Sequence, residues 1–318
     1  MTDPAFAHDP VMKSEIVDTF RSVPPGVIVD ATLGGGGHSE AILDSRDDVS
    51  ILGLDRDADA LAAATSRLGR FGERLMTHHC RFDDLDQAMA THAIDELSGA
   101  LFDLGVSSPQ LDRAERGFSY RNDGPLDMRM DTGAPWSADD VVNGYPEQQL
   151  AHIIRRFGDE RFASRIAKAI VAARPIETTT RLAEIVTGAI PAPARRTGGH
   201  PAKRTFQAIR IEVNGELDAL PDAIDKAIDA LTPGGRLAVL AYHSGEDRIV
   251  KNRIRQAETG GCECPPELPC VCDAVQTVKV VRGIAKRPTH GESATNRRAA
   301  SARFRVAEKT EPTATRNR

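Results

Sequence analysis

The stretch VIVDATLGGGGHS, residues 27–39, decides the fold class of this 318-residue chain. Its first residues are apolar and end in an aspartate, which is typical of a short buried strand, and four glycines then precede a helical pattern. Consecutive glycines permit a tight turn and let backbone N–H groups face a ligand. A strand, a glycine turn and a helix in this order predict the first unit of an α/β fold.

Other apolar runs repeat this pattern along the chain. Six further strands are predicted at residues 50–55, 75–80, 99–104, 236–242, 278–281 and 303–306. Strands that alternate with helices form a parallel sheet with right-handed crossovers. The sequence therefore predicts an α/β fold with a mostly parallel, seven-stranded sheet.

The strand pattern is interrupted in the middle of the chain. Arginine-rich helical segments at residues 147–173 and 181–190 occupy this part, bracketed by glycine and proline turns. We therefore predict an inserted helical domain, and we expect the polar end of the chain to be disordered. The predicted boundaries are 1–108 and 206–309 for the α/β domain, 109–205 for the insertion and 310–318 for the tail.

The composition, with 40% hydrophobic and 27% charged residues, is that of a folded globular protein. No apolar run is long enough to cross a bilayer, and the first residues lack the basic start of a secretion signal. We therefore expect a soluble, cytoplasmic protein without a membrane partner. The net charge is −5, yet basic residues concentrate at 151–210 and 278–318. Two such blocks favour a polyanionic partner such as nucleic acid, although solvated helix faces would explain either one alone.

The glycine turn discriminates among three classes of ligand. A P-loop ends in Gly-Lys-Ser/Thr, whereas His38 follows the glycines here, so that class is excluded. A dinucleotide fingerprint has weak support, because its third glycine would fall near Glu40. Asp55 closes the second strand, where a carboxylate can accept hydrogen bonds from both hydroxyls of a ribose. A glycine turn and a ribose-binding acid without phosphate chemistry indicate S-adenosylmethionine, although such a turn can also be a simple tight corner.

Two more strand ends carry candidate residues. Phe82 follows the third strand and could pack on adenine or belong to the core. Asp103 ends the fourth strand, where its charge could face the sulfonium or amino group of the cofactor. The tetrapeptide SSPQ, residues 107–110, stands where amino-methylating enzymes carry an Asp/Asn/Ser-Pro-Pro-aromatic loop.

Longer stretches resemble one known family, the small-subunit ribosomal RNA cytosine-N4 methyltransferases, also called the MraW or RsmH family. The runs DGPLDMRMD, residues 123–131, and HPAKRTFQAIR, residues 200–210, are the most specific. The other matching stretches are residues 8–12, 30–38, 54–57, 103–112, 116–120, 158–162 and 243–251. They follow one another in order over nearly the whole chain.

This resemblance implies a class I, Rossmann-like methyltransferase fold with an inserted substrate domain. It implies methyl transfer from S-adenosylmethionine to N4 of a cytidine in the decoding centre of 16S rRNA, within the small ribosomal subunit. The family's cofactor contacts correspond to Gly36, Gly37, His38, Asp55, Phe82, Asp103 and Gln110. One departure is Gly245, where the family has leucine.

The amine of cytosine is a poor nucleophile because its lone pair is delocalised into the ring. Acceptors bonded to the amine hydrogens would restore that lone pair and receive the released proton. We predict that the Ser108 hydroxyl and the Pro109 carbonyl do this, with Asp103 as the alternative base. The other interpretation of Ser107 and Ser108 is a capped turn that leads into the insertion.

RNA binding requires stacking and phosphate contacts. Gln110 replaces the usual aromatic residue after the proline, so stacking is assigned to Phe118, Tyr120 or Tyr242, unless these pack in the core. Phosphate contacts are predicted for basic residues of the insertion, some of which could instead form surface salt bridges. They are Arg155, Arg156, Arg161, Arg165, Lys168, Arg195, Arg196, Lys203 and Arg204.

Four of the five cysteines, Cys262, Cys264, Cys270 and Cys272, could hold a zinc ion through four thiolates. Their C-x-C spacing is weaker evidence than C-x2-C, and prolines already stiffen the segment, so no metal is assigned. Because some members of the resembled family lack these cysteines, a zinc ion bound to them would stabilise the structure and would not take part in catalysis. Cys80 is predicted to be a small buried hydrophobe.

Two rival functions stay open. A nicotinamide-dependent oxidoreductase would lack the third fingerprint glycine and would leave the basic insertion unexplained. A non-catalytic RNA-binding or ribosome assembly factor would keep a decayed cofactor site. Methyl transfer to RNA separates this second rival from the enzyme.

Overall fold

The structure is a computed structural model that describes residues 9–196, 199–265, 271–296 and 299–314. The chain divides into two compact units. The first comprises Met1–Gly105 and Leu217–Arg318, and the second comprises Val106–Glu216. Among the described residues, no helix has the length and apolar character of a membrane span.

A seven-stranded sheet forms the centre of the first unit. Its strands are β1 (Gly26–Asp30), β2 (Val49–Asp55), β3 (Leu75–His79), β4 (Leu97–Asp103), β5 (Leu231–Ala241), β6 (Val275–Val280) and β7 (Arg303–Ala314). The order across the sheet is β3-β2-β1-β4-β5-β7-β6, with the first five strands parallel and β7 antiparallel to both of its neighbours. The predicted mostly parallel, Rossmann-like α/β fold is confirmed.

Helices cover both faces of this sheet. Over the described residues, the α-helices are α1 (Lys13–Phe20), α2 (Gly37–Ser45), α3 (Ala58–Leu68), α4 (Leu85–Thr91), α5 (Ser108–Asp112), α6 (Glu147–Gly158), α7 (Ala163–Ala172), α8 (Thr179–Ala189), α9 (Lys203–Asn214), α10 (Glu216–Ala230), α11 (Ser244–Thr259) and α12 (His290–Thr295). Successive strand residues alternate between two buried clusters: Ile28 and Leu101 belong to one, Val29 and Phe102 to the other. Because both faces are buried, the central strands are continuously apolar.

The end of the chain differs from the prediction. Strand β7 continues to Ala314, whereas the sequence indicated a strand at 303–306 and a disordered tail at 310–318. Residues beyond Lys309 pair with β6, for example Val275 with Ala314. This part of the sheet is formed by the edge strand and its neighbour, so polar side chains are tolerated there and the apolar signal is missing. Residues 315–318 lie outside the described part.

The second unit is helical and contains α5 to α9 within its bounds. It is longer than the predicted 109–205 because α9 packs against α6 and therefore belongs to it. The helix predicted at 147–173 is divided into α6 and α7. Asp159 adopts a left-handed conformation, with φ of +50°, and ends α6. A side chain at Gly158 would lie 2.6 Å from the Arg204 carbonyl oxygen, so α9 approaches α6 closely at this turn.

A buried amide joins the two most family-specific runs inside this unit. The Asn214 side chain accepts a hydrogen bond from the Met130 N–H (2.9 Å) and donates to the Met128 carbonyl (2.7 Å). It also donates to the Arg210 carbonyl (2.8 Å). Residues 123–131 are thereby attached to α9, which holds most of residues 200–210.

Candidate cofactor and active site

The carboxyl ends of the five parallel strands lie at one edge of the sheet. In the register, Asp30 of β1 pairs with Leu101, and Asp103 of β4 pairs with Leu240. The candidate residues of the first unit follow at this edge: the glycine turn after β1, Asp55 at the end of β2, Phe82 after β3, Asp103 at the end of β4 and Tyr242 after β5. Ligands of open α/β sheets bind at this edge.

The glycine turn is fastened to the end of β2 by Asp55. The Gly34 N–H donates to Asp55 Oδ2 (2.8 Å), and the Asp57 N–H donates to Oδ1 (2.9 Å). Burial raises the pKa of this carboxyl above its usual value. A carboxylate has about four acceptor positions, so Asp55 can still accept hydrogen bonds from a ligand. The sequence suggested that the turn aims its N–H groups at a ligand, but Gly34 uses its own at Asp55.

Gly36 and Gly37 are required by packing inside the protein. Gly36 has φ of +75°, and a Cβ there would lie 2.8 Å from Leu68 Cδ1. A Cβ on Gly37 would lie 2.6 Å from Pro10 Cγ. Any larger residue would therefore displace α3 or the segment before α1. Their role as cofactor contacts stays a prediction.

His38 is buried at the start of α2, with 6% of its surface exposed. Within the described residues, neither of its ring nitrogens makes a hydrogen bond. Nε2 lies 3.4 Å from Asp103 Oδ2 without hydrogen-bond geometry. Buried polar atoms are almost always paired, so an unpaired imidazole at this edge indicates a place where a polar ligand group fits.

Asp103 is held in one orientation by two neighbours. The Tyr242 hydroxyl donates to Asp103 Oδ1 (2.6 Å), and the Asp103 N–H donates to Thr32 Oγ1 (2.6 Å). The Asp103 side chain is 27% exposed, so its carboxylate is accessible at this edge. Tyr242, predicted as a stacking residue, therefore has a second task that sequence reasoning missed. Its position directly after β5 was the signal that could have revealed it.

Asp30 is a buried acid that the sequence analysis did not single out. The Ser39 hydroxyl donates to its Oδ2 (2.7 Å), and the Thr32 N–H donates to its Oδ1 (3.2 Å). Burial raises the pKa of Asp30 to about 6 despite these hydrogen bonds. Ionised Asp30 therefore lies beneath the glycine turn at neutral pH, at a cost in folding free energy.

We expect Asp30→Asn to remove one source of pH dependence in the stability of the protein. The folded state binds the Asp30 proton more tightly than the unfolded chain, whose pKa is near 3.8, so Asp30 favours folding below that pH. This contribution is lost as the pH rises through 6. Between pH 4 and pH 7, the variant should therefore gain about 2 kcal/mol relative to the wild type.

Urea unfolding at several pH values measures this difference. Asp47→Asn, which changes a fully exposed aspartate, is the control and should keep the wild-type pH profile. An Asp30→Asn profile parallel to that of the wild type would show that Asp30 does not titrate in this range.

The SSPQ segment lies in the second unit and opens α5 with a capping box. The buried Gln110 accepts a hydrogen bond from the Ser107 N–H at its Oε1 (3.0 Å). The Pro109 carbonyl accepts one from the Arg113 N–H (3.0 Å). Ser108 is partly buried at the first turn of α5. Ser107 and Gln110 thus form the helix cap that one interpretation of this segment predicted. The predicted roles of Ser108, Pro109 and Gln110 in ligand binding and catalysis stay predictions.

The predicted aromatic candidates have different surroundings. Phe82 is partly buried, packs on the core and meets Phe102 edge to face, with ring centroids 6.0 Å apart. Phe118 is buried. Tyr120 stacks on His200, with ring centroids 4.4 Å apart. Phe82 and Tyr120 are thus partly buried, whereas Phe118 is a core residue.

His243 and Gly245 belong to the start of α11. His243 Nδ1 accepts hydrogen bonds from the Gly245 N–H (3.1 Å) and the Glu246 N–H (3.4 Å). A Cβ on Gly245 would lie 3.0 Å from the His243 ring, so a larger residue here would crowd this cap. His243 is thus a helix cap.

The residues at the carboxyl edge of the first unit fit S-adenosylmethionine. Asp55 has acceptor positions for ribose hydroxyls, Phe82 offers a ring surface, and Asp103 offers a carboxylate to a cationic group. The unpaired imidazole of His38 lies at the same edge. This donor and acceptor set matches a positively charged nucleoside without phosphates.

Comparison with known proteins agrees with this chemistry. The family described as "MraW methylase family" matches residues 5–310. A protein of Mycobacterium sp. (strain KMS) named "Ribosomal RNA small subunit methyltransferase H" is 50% identical, over 96% of this chain and 84% of its own. Proteins of the same name are 48% identical in Thermobifida fusca (96% and 94% covered) and Lachnospira eligens (96% and 98%). The chain belongs to the MraW methylase family and is an S-adenosylmethionine-dependent methyltransferase.

Proposed function

We propose that the protein methylates the exocyclic N4 of a cytidine in the decoding centre of 16S rRNA, within the small ribosomal subunit. The observation that carries this proposal is the Asp103 carboxylate, which is accessible and oriented by Tyr242 beside the glycine turn. The names of the relatives support small-subunit ribosomal RNA as the substrate class. The site of action that follows is the cytoplasm. A nicotinamide-dependent oxidoreductase does not agree with membership in a methylase family.

The main task of the protein is to position the reacting groups. S-adenosylmethionine supplies a methyl group that is already electrophilic, so the barrier falls chiefly through alignment with the amine. Alignment of this kind is worth about 7–11 kcal/mol in well-oriented systems. In our proposal, Gly36, Gly37, His38, Asp55, Phe82, Asp103 and Gln110 hold the cofactor.

Proton removal requires an acceptor near N4. We assign the Ser108 hydroxyl as the first hydrogen-bond acceptor for the amine, from which the released proton passes to water, because Ser108 is partly buried and lies five residues after Asp103 along the chain. The Pro109 carbonyl already accepts the Arg113 N–H, so it would act through its second lone pair. Asp103 is the alternative base. The Tyr242 hydroxyl holds the Asp103 carboxylate in one orientation through its hydrogen bond to Oδ1.

The second unit, the insertion, is proposed to bind RNA phosphates. Arg165 and Lys168 of α7 are exposed, and Arg161 is exposed just before this helix. Arg165 and Lys168 are three residues apart and lie on one face of α7, and Arg161 precedes the helix. We name this set the α7 basic face.

The other predicted basic residues have varied contacts. Arg155 donates to Ser164 Oγ (2.9 Å), and Arg204 donates to the Asp159 carbonyl (2.8 Å). Arg195 donates to the carbonyls of Ile190 and Gly188 at the end of α8, so it is less suited to phosphate binding than predicted. The Arg196 side chain lies outside the described part, and the exposed Lys203 stays a candidate.

We expect Arg165→Ala/Lys168→Ala to weaken RNA binding most at low salt. Each lost phosphate contact removes about 0.7–0.9 from the slope of log K against log salt, so the double variant should be less steep by about 1.5. Fluorescence anisotropy with a 16S rRNA fragment at several salt concentrations measures the slope. Glu184→Ala, an exposed change on α8, is the control. Equal slopes for the double variant and the wild type would exclude the α7 basic face from RNA binding.

The proposed function is tested with small ribosomal subunits from cells that lack the modification. Purified protein and methyl-labelled cofactor are added, and the labelled nucleotide is mapped by nuclease digestion and mass spectrometry. We expect a single N4-methylated cytidine in the decoding centre. Binding to subunits without label would favour the assembly factor, and label on another base or position would overturn the proposed substrate.

A further inference from the structure

Three cysteines of the first unit meet in the connection between α11 and β6. The Sγ atoms of Cys262, Cys264 and Cys272 all lie within 4.8 Å of one another. Of the described cysteines, none forms a disulfide. A tetrahedral zinc site with Zn–S bonds of about 2.3 Å needs sulfur atoms about 3.8 Å apart. The three sulfur atoms thus lie within about 1 Å of that spacing.

Local structure places two of the thiols on the same side of the chain. Cys262 and Cys264 are partly buried, whereas Glu263 between them and Pro265 after them are exposed. Alternation of this kind is typical of extended backbone, in which residues two apart share a face. The C-x-C spacing, which looked unfavourable for zinc in the sequence, therefore directs both sulfur atoms toward one point.

The third thiol, that of Cys272, comes close to the other two because the two ends of the connection lie next to each other. Helix α11 ends at Gly260, which has φ of +60°, and a Cβ there would lie 2.4 Å from the Val275 backbone nitrogen. The Gly261 N–H donates to the Gln256 carbonyl (3.0 Å), and the Cys262 N–H donates to the Thr259 carbonyl (3.1 Å). The chain thus leaves α11 and enters β6 at nearly the same place. Cys262 follows the end of α11 and Cys272 precedes the start of β6, so the two residues lie near the two ends of the connection.

We propose that Cys262, Cys264 and Cys272 bind a zinc ion as thiolates, and that this ion fastens the end of α11 to the start of β6. Three clustered thiolates are soft ligands, which suit zinc better than magnesium or calcium. Cys270, two residues before Cys272, lies outside the described part and is not needed for the argument. The site is structural, because it lies on a connection next to an edge strand, away from the residues that follow β1, β2 and β4.

Metal content tests this proposal directly. Full-length protein is reduced with a phosphine, given zinc, passed through a chelating resin and analysed by plasma mass spectrometry. We expect about one zinc per chain in the wild type and less than about a tenth of that in Cys262→Ser/Cys264→Ser. Cys80→Ala is the matched control and should keep its zinc, because burial raises the pKa of the Cys80 thiol to about 12 and keeps it protonated. Zinc-free wild type, or a double variant that retains zinc, would overturn the proposal.

A second measurement needs no variant and covers the case in which the double variant does not fold. Metal-free wild type is titrated with cobalt, which in a tetrahedral thiolate site gives intense thiolate-to-cobalt absorption, and zinc should then displace it. Zinc should also raise the melting temperature of the metal-free chain. Absence of the thiolate bands, or iron as the bound metal after purification, would refute a zinc site. Neither measurement uses methyl transfer, so the result is independent of the proposed function.

Discussion

Asp103→Asn is expected to lower the rate of methyl transfer by about 100- to 1,000-fold at saturating substrates. The amide keeps the size of the side chain but loses the negative charge at the end of β4. It can then neither stabilise a cationic ligand group nor accept a proton from the amine. Single-turnover assays with labelled cofactor and small subunits measure this rate, and calorimetry measures cofactor binding separately.

Tyr242→Phe separates the charge of Asp103 from its orientation. This variant removes only the hydroxyl that donates to Asp103 Oδ1 at 2.6 Å, so the carboxylate remains but is less well held. We expect a smaller loss of about tenfold in the rate of methyl transfer, since the carboxylate keeps its charge but loses one hydrogen bond that orients it. If Asp103→Asn leaves both the rate and cofactor binding intact, Asp103 has no part in the site.

Asp55→Asn is expected to weaken cofactor binding by about 10- to 150-fold, the range of one hydrogen bond to a charged group. Asp55 accepts two backbone N–H groups, so part of any loss could come from a looser glycine turn. A double-mutant cycle removes this ambiguity. Binding of S-adenosylhomocysteine and of its 2′,3′-dideoxy analogue is measured for the wild type and the variant.

The cycle has one decisive outcome for the ribose contact. If Asp55 binds the hydroxyls, loss of the hydroxyls weakens binding to the wild type much more than binding to Asp55→Asn. If loss of the hydroxyls weakens binding by the same factor in the wild type and in Asp55→Asn, Asp55 acts only through Gly34 and the glycine turn. Asp59→Ser, on the exposed side of α3, serves as the control and should bind both ligands as the wild type does.

Much of the fold could be predicted because the parallel strands are buried on both faces. Residues 27–29 and 99–102 form uninterrupted apolar runs between turns, and such runs can be recognised without knowledge of their neighbours. Parallel topology then places the residues at strand ends on one edge. Asp55, Phe82 and Asp103 could therefore be grouped before any coordinates were known.

The contacts of the site could not be predicted, because they join residues far apart in the chain. The position of Tyr242 after β5 indicates the edge of the sheet but not which group its hydroxyl meets, and nothing near Asp30 indicates full burial. The glycines illustrate the same limit. Pro10 and Leu68 explain why Gly36 and Gly37 must be small, and both are distant partners.

Strand β5 has a consequence for how the protein emerges during translation. It pairs with β4 in the middle of the sheet, joining Leu97 to Leu231, yet all of Val106–Glu216 is synthesised between them. Loop closure over so long a segment is slow unless the segment becomes compact first. The nascent chain would therefore expose the unpaired edge of β4 until the helical unit has folded and β5 can pair with it. During that interval the edge is open to aggregation, and binding of a ribosome-associated chaperone would protect it.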